Sequence, residues 1–132
     1  METNKSKRIS PALITQLDEN EIFVFGSNLA GMHGGGAAKI AYASFGAVWG
    51  EGVGLYGKTY AIPTMHGGLD VIKPYVDDFI EFARTHPEMK FLVTRVGCGI
   101  AGFRDEEMAP LFKKAAELEN VYLPEVWWVI IS

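Results

Sequence analysis

Short apolar runs alternate along the chain with segments of helical period. Glu21-Ile-Phe-Val-Phe25 is short, apolar and rich in β formers, and predicts a buried strand. Lys58-Thr-Tyr-Ala-Ile-Pro63 predicts a second, closed by its proline, and Lys90-Phe-Leu-Val-Thr-Arg-Val96 a third. Val126-Trp-Trp-Val-Ile-Ile131 reads as a last buried strand, with one indole in the core and the other covering a sheet edge or a partner surface. Between them, the alanine-rich Gly36–Phe45 predicts a helix that stops at Gly46. Val71, Ile72, Tyr75, Val76, Phe79, Ile80 and Ala83 recur at helical spacing and predict an amphipathic helix ending before Pro87. A further amphipathic helix is expected over Glu106–Glu119, with Pro110 tolerable only in its first turn. Strands alternating with helices imply βαβ units. The expectation is an α/β domain with a mostly parallel central sheet flanked by helices on both faces.

Glycine changes this picture most. The chain has 15, and most cluster at Gly26–Gly36, Gly46–Gly57 and Gly97–Gly102. The first and third clusters each follow a predicted strand, where an open α/β sheet holds its ligand. In Phe25-Gly-Ser-Asn-Leu-Ala-Gly-Met-His-Gly-Gly-Gly36, three consecutive glycines precede a helix. Without side chains there, backbone N–H groups of the first turn can face a diphosphate. Asn28 can offer its amide to a ribose hydroxyl. In Val96-Gly-Cys-Gly-Ile-Ala-Gly-Phe103, glycines again clear the backbone, and Cys98 keeps the loop tight. Parallel strands bring both loops to one edge, so the pair predicts a site built from Gly26, Ser27, Asn28, His33, Gly34, Gly35 and Gly36 facing Gly97, Cys98, Gly99, Ile100, Ala101, Gly102 and Phe103.

This pair of loops resembles the macro domains. Asn28 is followed at six to eight residues by Gly34, Gly35 and Gly36, and the second loop carries Gly99-Ile-Ala-Gly102. Arg95-Val-Gly-Cys-Gly-Ile100 looks most like the terminal ADP-ribose glycohydrolase subclass. Tyr60-Ala-Ile-Pro-Thr-Met-His66 lies about where macro domains have their middle strand. The resemblance spans roughly residues 20–131 and is specific at the two loops. It implies a three-layer macro-type fold that binds ADP-ribose or a close nucleotide, the first loop around the distal ribose and the second around the diphosphate.

The chain also departs from that pattern. Phe25 stands where the strand's end motif usually has an asparagine, and Asp18 lies too close to the first strand to match the adenine-reading aspartate. Ala38, Ala101 and Gly35 occupy places where hydrolytic relatives carry an aspartate, an aspartate and a lysine. General acid–base catalysis needs a titratable group within hydrogen-bond reach of the reacting bond. Binding is therefore the first expectation. The rival is a hydrolase that removes ADP-ribose from an acceptor or trims a derivative through His33, Asn28 or a bound water. A third reading is another doubly wound nucleotide fold sharing only the glycine loops.

The remaining chemistry is sparse. His33, inside the first loop, reads either as a ligand-facing donor or base or as a solvent-facing loop residue. His66 is assigned to a turn, and His86, before Pro87, to a helix end where it meets the dipole. Cys98 reads as a packing residue before a nucleophile. Lys39 and Arg95 lie beside the loops and read either as phosphate partners or as a solvated helix lysine and a structural strand arginine. Gly50–Gly57 reads either as a plain connecting loop or as a lid, with Tyr56 stacking on a base.

Length and composition then set the limits. The 132 residues fit a single domain, with residues 1–9 as a flexible arm. Hydrophobic residues at 48% and charged residues at 21% are ordinary for a globular chain. No apolar run reaches the ~18–20 residues of a membrane span, and the polar start lacks a signal peptide's apolar stretch. The single cysteine forms no internal disulfide, and no Cys and His set has zinc spacing, so neither metal nor cofactor is expected. A cytoplasmic location follows as the default. A net charge of −4 with scattered basic residues argues against general nucleic-acid binding. The oligomeric state is left open.

Overall fold

The computed structural model describes residues 8–131. It contains a five-stranded sheet in the order β2-β3-β1-β4-β5. β1 (Glu21–Ser27), β3 (Thr59–Pro63), β4 (Lys90–Val93) and β5 (Val121–Tyr122) run parallel, and β2 (Gly54–Tyr56) pairs antiparallel with β3 at one edge. The mostly parallel α/β sheet is therefore as the pattern predicts. Alternation along β1 explains why both of its faces are covered. Ile22 and Val24 join one apolar cluster, while Phe23 and Phe25 join the other.

Helix α1 (Gly36–Ile40) continues as a π-helical turn, Ala41–Phe45, and packs Ala38, Ala41 and Phe45 on the Phe23/Phe25 face. Gly46 then terminates it at φ 95°, a left-handed conformation that favours glycine. Helix α2 (Leu69–Arg84) buries Ile72, Val76, Phe79 and Ala83 on the opposite face, following the apolar spacing. His86 Nδ1 donates to Phe82 O at 2.7 Å at the end of this helix, the position assigned to it.

Four expectations are corrected. Glu106–Glu119 is not one helix. A short α3 (Asp105–Met108) gives way to 3₁₀ turns at Ala109–Phe112 and Lys114–Glu117. Pro110 has no N–H to give the α-helical ladder, and it sits in the first of those turns. Val126–Ile131 is a helix, α4 (Glu125–Ile131), and the strand beside β4 is Val121–Tyr122 instead. On a strand, adjacent Trp127 and Trp128 would face opposite sides. On α4 both are buried: Trp127 Nε1 donates to Asp105 Oδ1 at 2.7 Å and Trp128 Nε1 to Arg8 O at 2.9 Å. Tertiary packing overrides the β propensity of the run.

Residues 8 and 9 do not belong to a flexible arm. The Arg8 guanidinium donates to the carbonyls of Ala116, Leu118 and Val121, and Ile9 bridges Leu123 in parallel. The rest of that arm lies outside the described residues. Finally, Gly50–Gly57 supplies edge strand β2 and no lid. Tyr56 Oη donates to Glu51 Oε1 at 2.9 Å within the segment.

Candidate functional site

A cavity of about 620 Å³ opens at the carboxyl ends of the parallel strands. Its wall takes residues that follow β1 (Asn28), β3 (Thr64, Met65), β4 (Thr94, Arg95) and β5 (Pro124 to Val126). Ser10 to Ala12, which continue the segment docked beside β5, close that end. Four parallel strands leave three gaps of ~4.8 Å, so the cavity runs ~14 Å across the strand ends. Its volume lies within the ~300–1,000 Å³ of small-molecule sites.

The two glycine loops form the middle of this cavity. Gly26, Ser27, Asn28, Gly35 and Gly36 line it from the first loop, and Gly97, Cys98, Gly99, Ile100 and Ala101 from the second. The loops meet at one point. A Cβ placed on Gly35 would lie 3.0 Å from Ile100 Cδ1, so this side chain reaches across to the glycine triplet. Ile100 is nevertheless 71% exposed, as a bridging roof over the cavity would be. Ala37 and Ala38 of α1 also line the wall, where the N–H groups of a first helical turn have no intrahelical partner.

Four assigned residues are elsewhere. Gly34, Gly102 and Phe103 are off the cavity wall, and Phe103 packs against the core of the α2 face. His33 is neither ligand-facing nor solvent-facing. It is 1% exposed behind the first loop, with its ring edge-on to Phe25 and Trp49 and tilted against Tyr42. Its Nε2 lies 2.9 Å from Val48 O and 3.1 Å from Glu51 O. Two carbonyl acceptors require that this nitrogen carry the proton and donate. Nδ1 is buried and without a partner among the described residues.

His33 thus ties the first loop to the segment behind it. Ser27 Oγ donates to Gly52 O at 2.5 Å and Gly50 N to Gly31 O at 2.9 Å. A Cβ on Gly52 would fall 1.9 Å from Asn28 O, so only glycine allows this approach. His66 Nε2 accepts from Leu29 N at 2.7 Å, which links the loop after β3 to the same loop.

Asn28 is likewise engaged. Its Oδ1 accepts from Met32 N at 2.9 Å, and its Nδ2 donates to Met32 O at 3.0 Å. One N–H and one lone pair remain for a ligand.

The second loop is held from beneath by Asp105. Its Oδ1 accepts from Arg95 Nε at 2.9 Å, Trp127 Nε1 at 2.7 Å and Cys98 Sγ at 3.5 Å, and its Oδ2 from Arg95 Nη2 at 2.7 Å. The Arg95 hydrogen bonds hold this carboxyl below its ordinary range. Burial, with the Asp105 charge second, pushes the Cys98 thiol up to about 12. It stays protonated at neutral pH and is a poor nucleophile, in keeping with its assignment as packing. Arg95 lines the cavity but is already committed to Asp105, and Lys39 is exposed on α1 away from the wall.

Two groups stand out among the wall residues missed from sequence. Thr64 and Met65 follow a strand that the pattern does predict, so their place at the shared edge is implicit in parallel pairing. Ser10 to Ala12 lie just after the predicted arm, and Pro124 and Glu125 just before the predicted terminal strand that Val126 opens, and neither place points to the cavity.

Comparisons with protein-family models, curated proteins and solved structures find no match. Among the described residues, no three His, Cys, Asp or Glu side chains converge as metal ligands, and no helix is long and apolar enough to cross a membrane.

Proposed function

We propose that this chain is a macro-type, three-layer domain whose cavity binds ADP-ribose or a closely related nucleotide. The observation that carries the reading is the meeting of the two glycine loops over one cavity, with Ile100 reaching Gly35. A diphosphate needs N–H donors without intervening side chains, and the loops after β1 and β4 offer backbone from two sides. The ~14 Å run of strand ends gives room for a distal ribose on the β1/β3 side and an adenosine on the β5 side.

What supports binding over turnover is the set of groups at the middle of the wall. Ala38 and Ala101 cannot exchange a proton, Cys98 is held as a thiol, and His33 lies behind the loop. The single cysteine, with no partner in the chain for a disulfide, suits a reducing cytoplasm, which we take as the compartment.

Titration calorimetry with ADP-ribose, ADP and AMP tests the proposal. The expected order of affinity is ADP-ribose, then ADP, then AMP, because the loops hold the distal ribose together with the diphosphate. No heat with ADP-ribose, or equal affinity for AMP, would overturn it.

A further inference from the structure

Away from the cavity, the chain carries an apolar face that nothing among the described residues covers. Leu29 and Met32 of the first loop, Tyr42 of the turn after α1, and Val48, Trp49 and Val53 of the segment behind that loop are 41–59% exposed. Buried His33 gathers them. Its ring packs against Tyr42 and Trp49, which meet edge to face at 5.4 Å, and its Nε2 donates to Val48 O. A Cβ on Gly52 would lie 3.0 Å from Leu29 C, and that close approach brings the chain at Val53 beside Leu29. About half of two aromatic and four aliphatic side chains amounts to roughly 400 Å² of apolar surface. Contiguous patches of that size mark interaction sites.

We infer that this face, centred on Trp49 and Tyr42, binds a second copy of the chain across a two-fold axis. The inference is independent of the nucleotide reading. Two observations select this occupant. The first is charge. None of the six side chains is charged, but the flanks carry one charge of each sign: Lys39, one helical turn before Tyr42, and Glu51, two residues after Trp49. Both are exposed and make no ion pair among the described residues. A strongly acidic or basic partner gains nothing from such a rim. A two-fold axis through the aromatic pair sets Lys39 of each copy toward Glu51 of the other, which makes the face complementary to itself. The second is area. A specific interface at the small end of the range covers about 600 Å² per partner, roughly 65% of it apolar at its core, and the face supplies that share. Trp49 is also held before any partner arrives, by His33 and Tyr42, so little side-chain freedom is lost on docking.

Sedimentation velocity on the whole chain, from about 1 to 500 µM, tests this over the micromolar affinities expected of a small interface. A 14.5 kDa species should give way reversibly to one of twice that mass as concentration rises. Trp49→Ala should weaken association at least about 10-fold. That variant also strips packing from His33, so the exposed charges supply a second test that leaves the fold alone. Lys39→Glu and Glu51→Lys should each weaken association at least about 3-fold, because each sets like charges together twice across the axis. Combined in one chain, the two reversals should restore it to within about 2-fold of the parent. A chain that stays monomeric throughout, as one whose face serves some other protein would, overturns the inference. So do species that grow past the dimer, and a dimer that Trp49→Ala leaves intact. Single reversals without effect, or a combined reversal that fails to restore association, refute it as well.

Discussion

Trp127 and Asp105 are joined by a 2.7 Å hydrogen bond from the indole Nε1 to Oδ1, which ties α4 to the residues under the second glycine loop. Asp105 also holds Arg95, the residue that leaves β4 for that loop. One carboxylate therefore fixes the loop to two elements, and Trp127, which is fully buried, has its indole donor satisfied by it.

Asp105→Ala should lower stability by about 1–3 kcal/mol, since it leaves a buried indole N–H unpaired. The exposed Arg95 can turn to water and adds little. Asp105→Asn keeps an oxygen for Trp127 and should cost less. The carboxyl is held below its ordinary range in the folded chain. Its charge thus contributes fully above the unfolded value of ~3.9, and the contribution is lost as pH falls through the lower folded value. Melting temperatures of the parent and Asp105→Asn should differ by a constant amount from pH 5 to 8 and converge in more acid solution. A gap equally wide at pH 3 contradicts this.

The Cys98 thiol, pushed up to about 12, should resist alkylation. At pH 8 a free cysteine is substantially thiolate, so iodoacetamide should modify Cys98 about a hundredfold or more slowly by comparison. The urea-unfolded chain should react at the free rate. Because Asp105 raises the thiol through its charge and its hydrogen bond, Asp105→Asn should speed the reaction several-fold. Mass spectrometry of timed samples decides it; folded and unfolded chains reacting alike would show that Cys98 is neither desolvated nor held.

Much of this frame is legible in sequence because it rests on period and on glycine. Ile22 to Phe25 form a strand buried on both faces, and the residues after β1 and β4 must then share an edge. His33 defeats that logic. A polar residue among glycines reads as loop surface, yet Phe25, Tyr42 and Trp49 enclose it once the chain folds back. Its burial depends on contacts with residues up to 18 positions later, such as the Glu51 carbonyl. No local pattern carries that information. Trp127-Trp128 fails differently. The run has strong β formers and no helix signal beyond Pro124, and its helical form depends on two distant acceptors, Asp105 and the Arg8 carbonyl. The same helical form carries Glu125 and Val126, with Pro124 before them, onto the cavity wall.

The sharpest test of the site is Gly35→Glu. Gly35 has φ −153°, extended backbone that any residue adopts, so the substitution carries no conformational strain. The new Cβ would lie 3.0 Å from Ile100 Cδ1. That atom ends a flexible, largely exposed side chain, which can swing aside, and melting should change by no more than a few degrees. Binding should not survive. A carboxylate on the cavity wall opposes the diphosphate by on the order of 1 kcal/mol or more at short range, before its bulk is counted. Gly35→Ala separates the two effects and should weaken ADP-ribose binding far less. Gln16→Glu adds the same charge at an exposed position off this cavity wall, and should leave both melting and affinity at parental values. Calorimetry and thermal melts on the three variants give the answer. If Gly35→Glu melts like the parent and binds ADP-ribose equally well, the glycine triplet does not hold the ligand, and the meeting of the two loops no longer supports a nucleotide site.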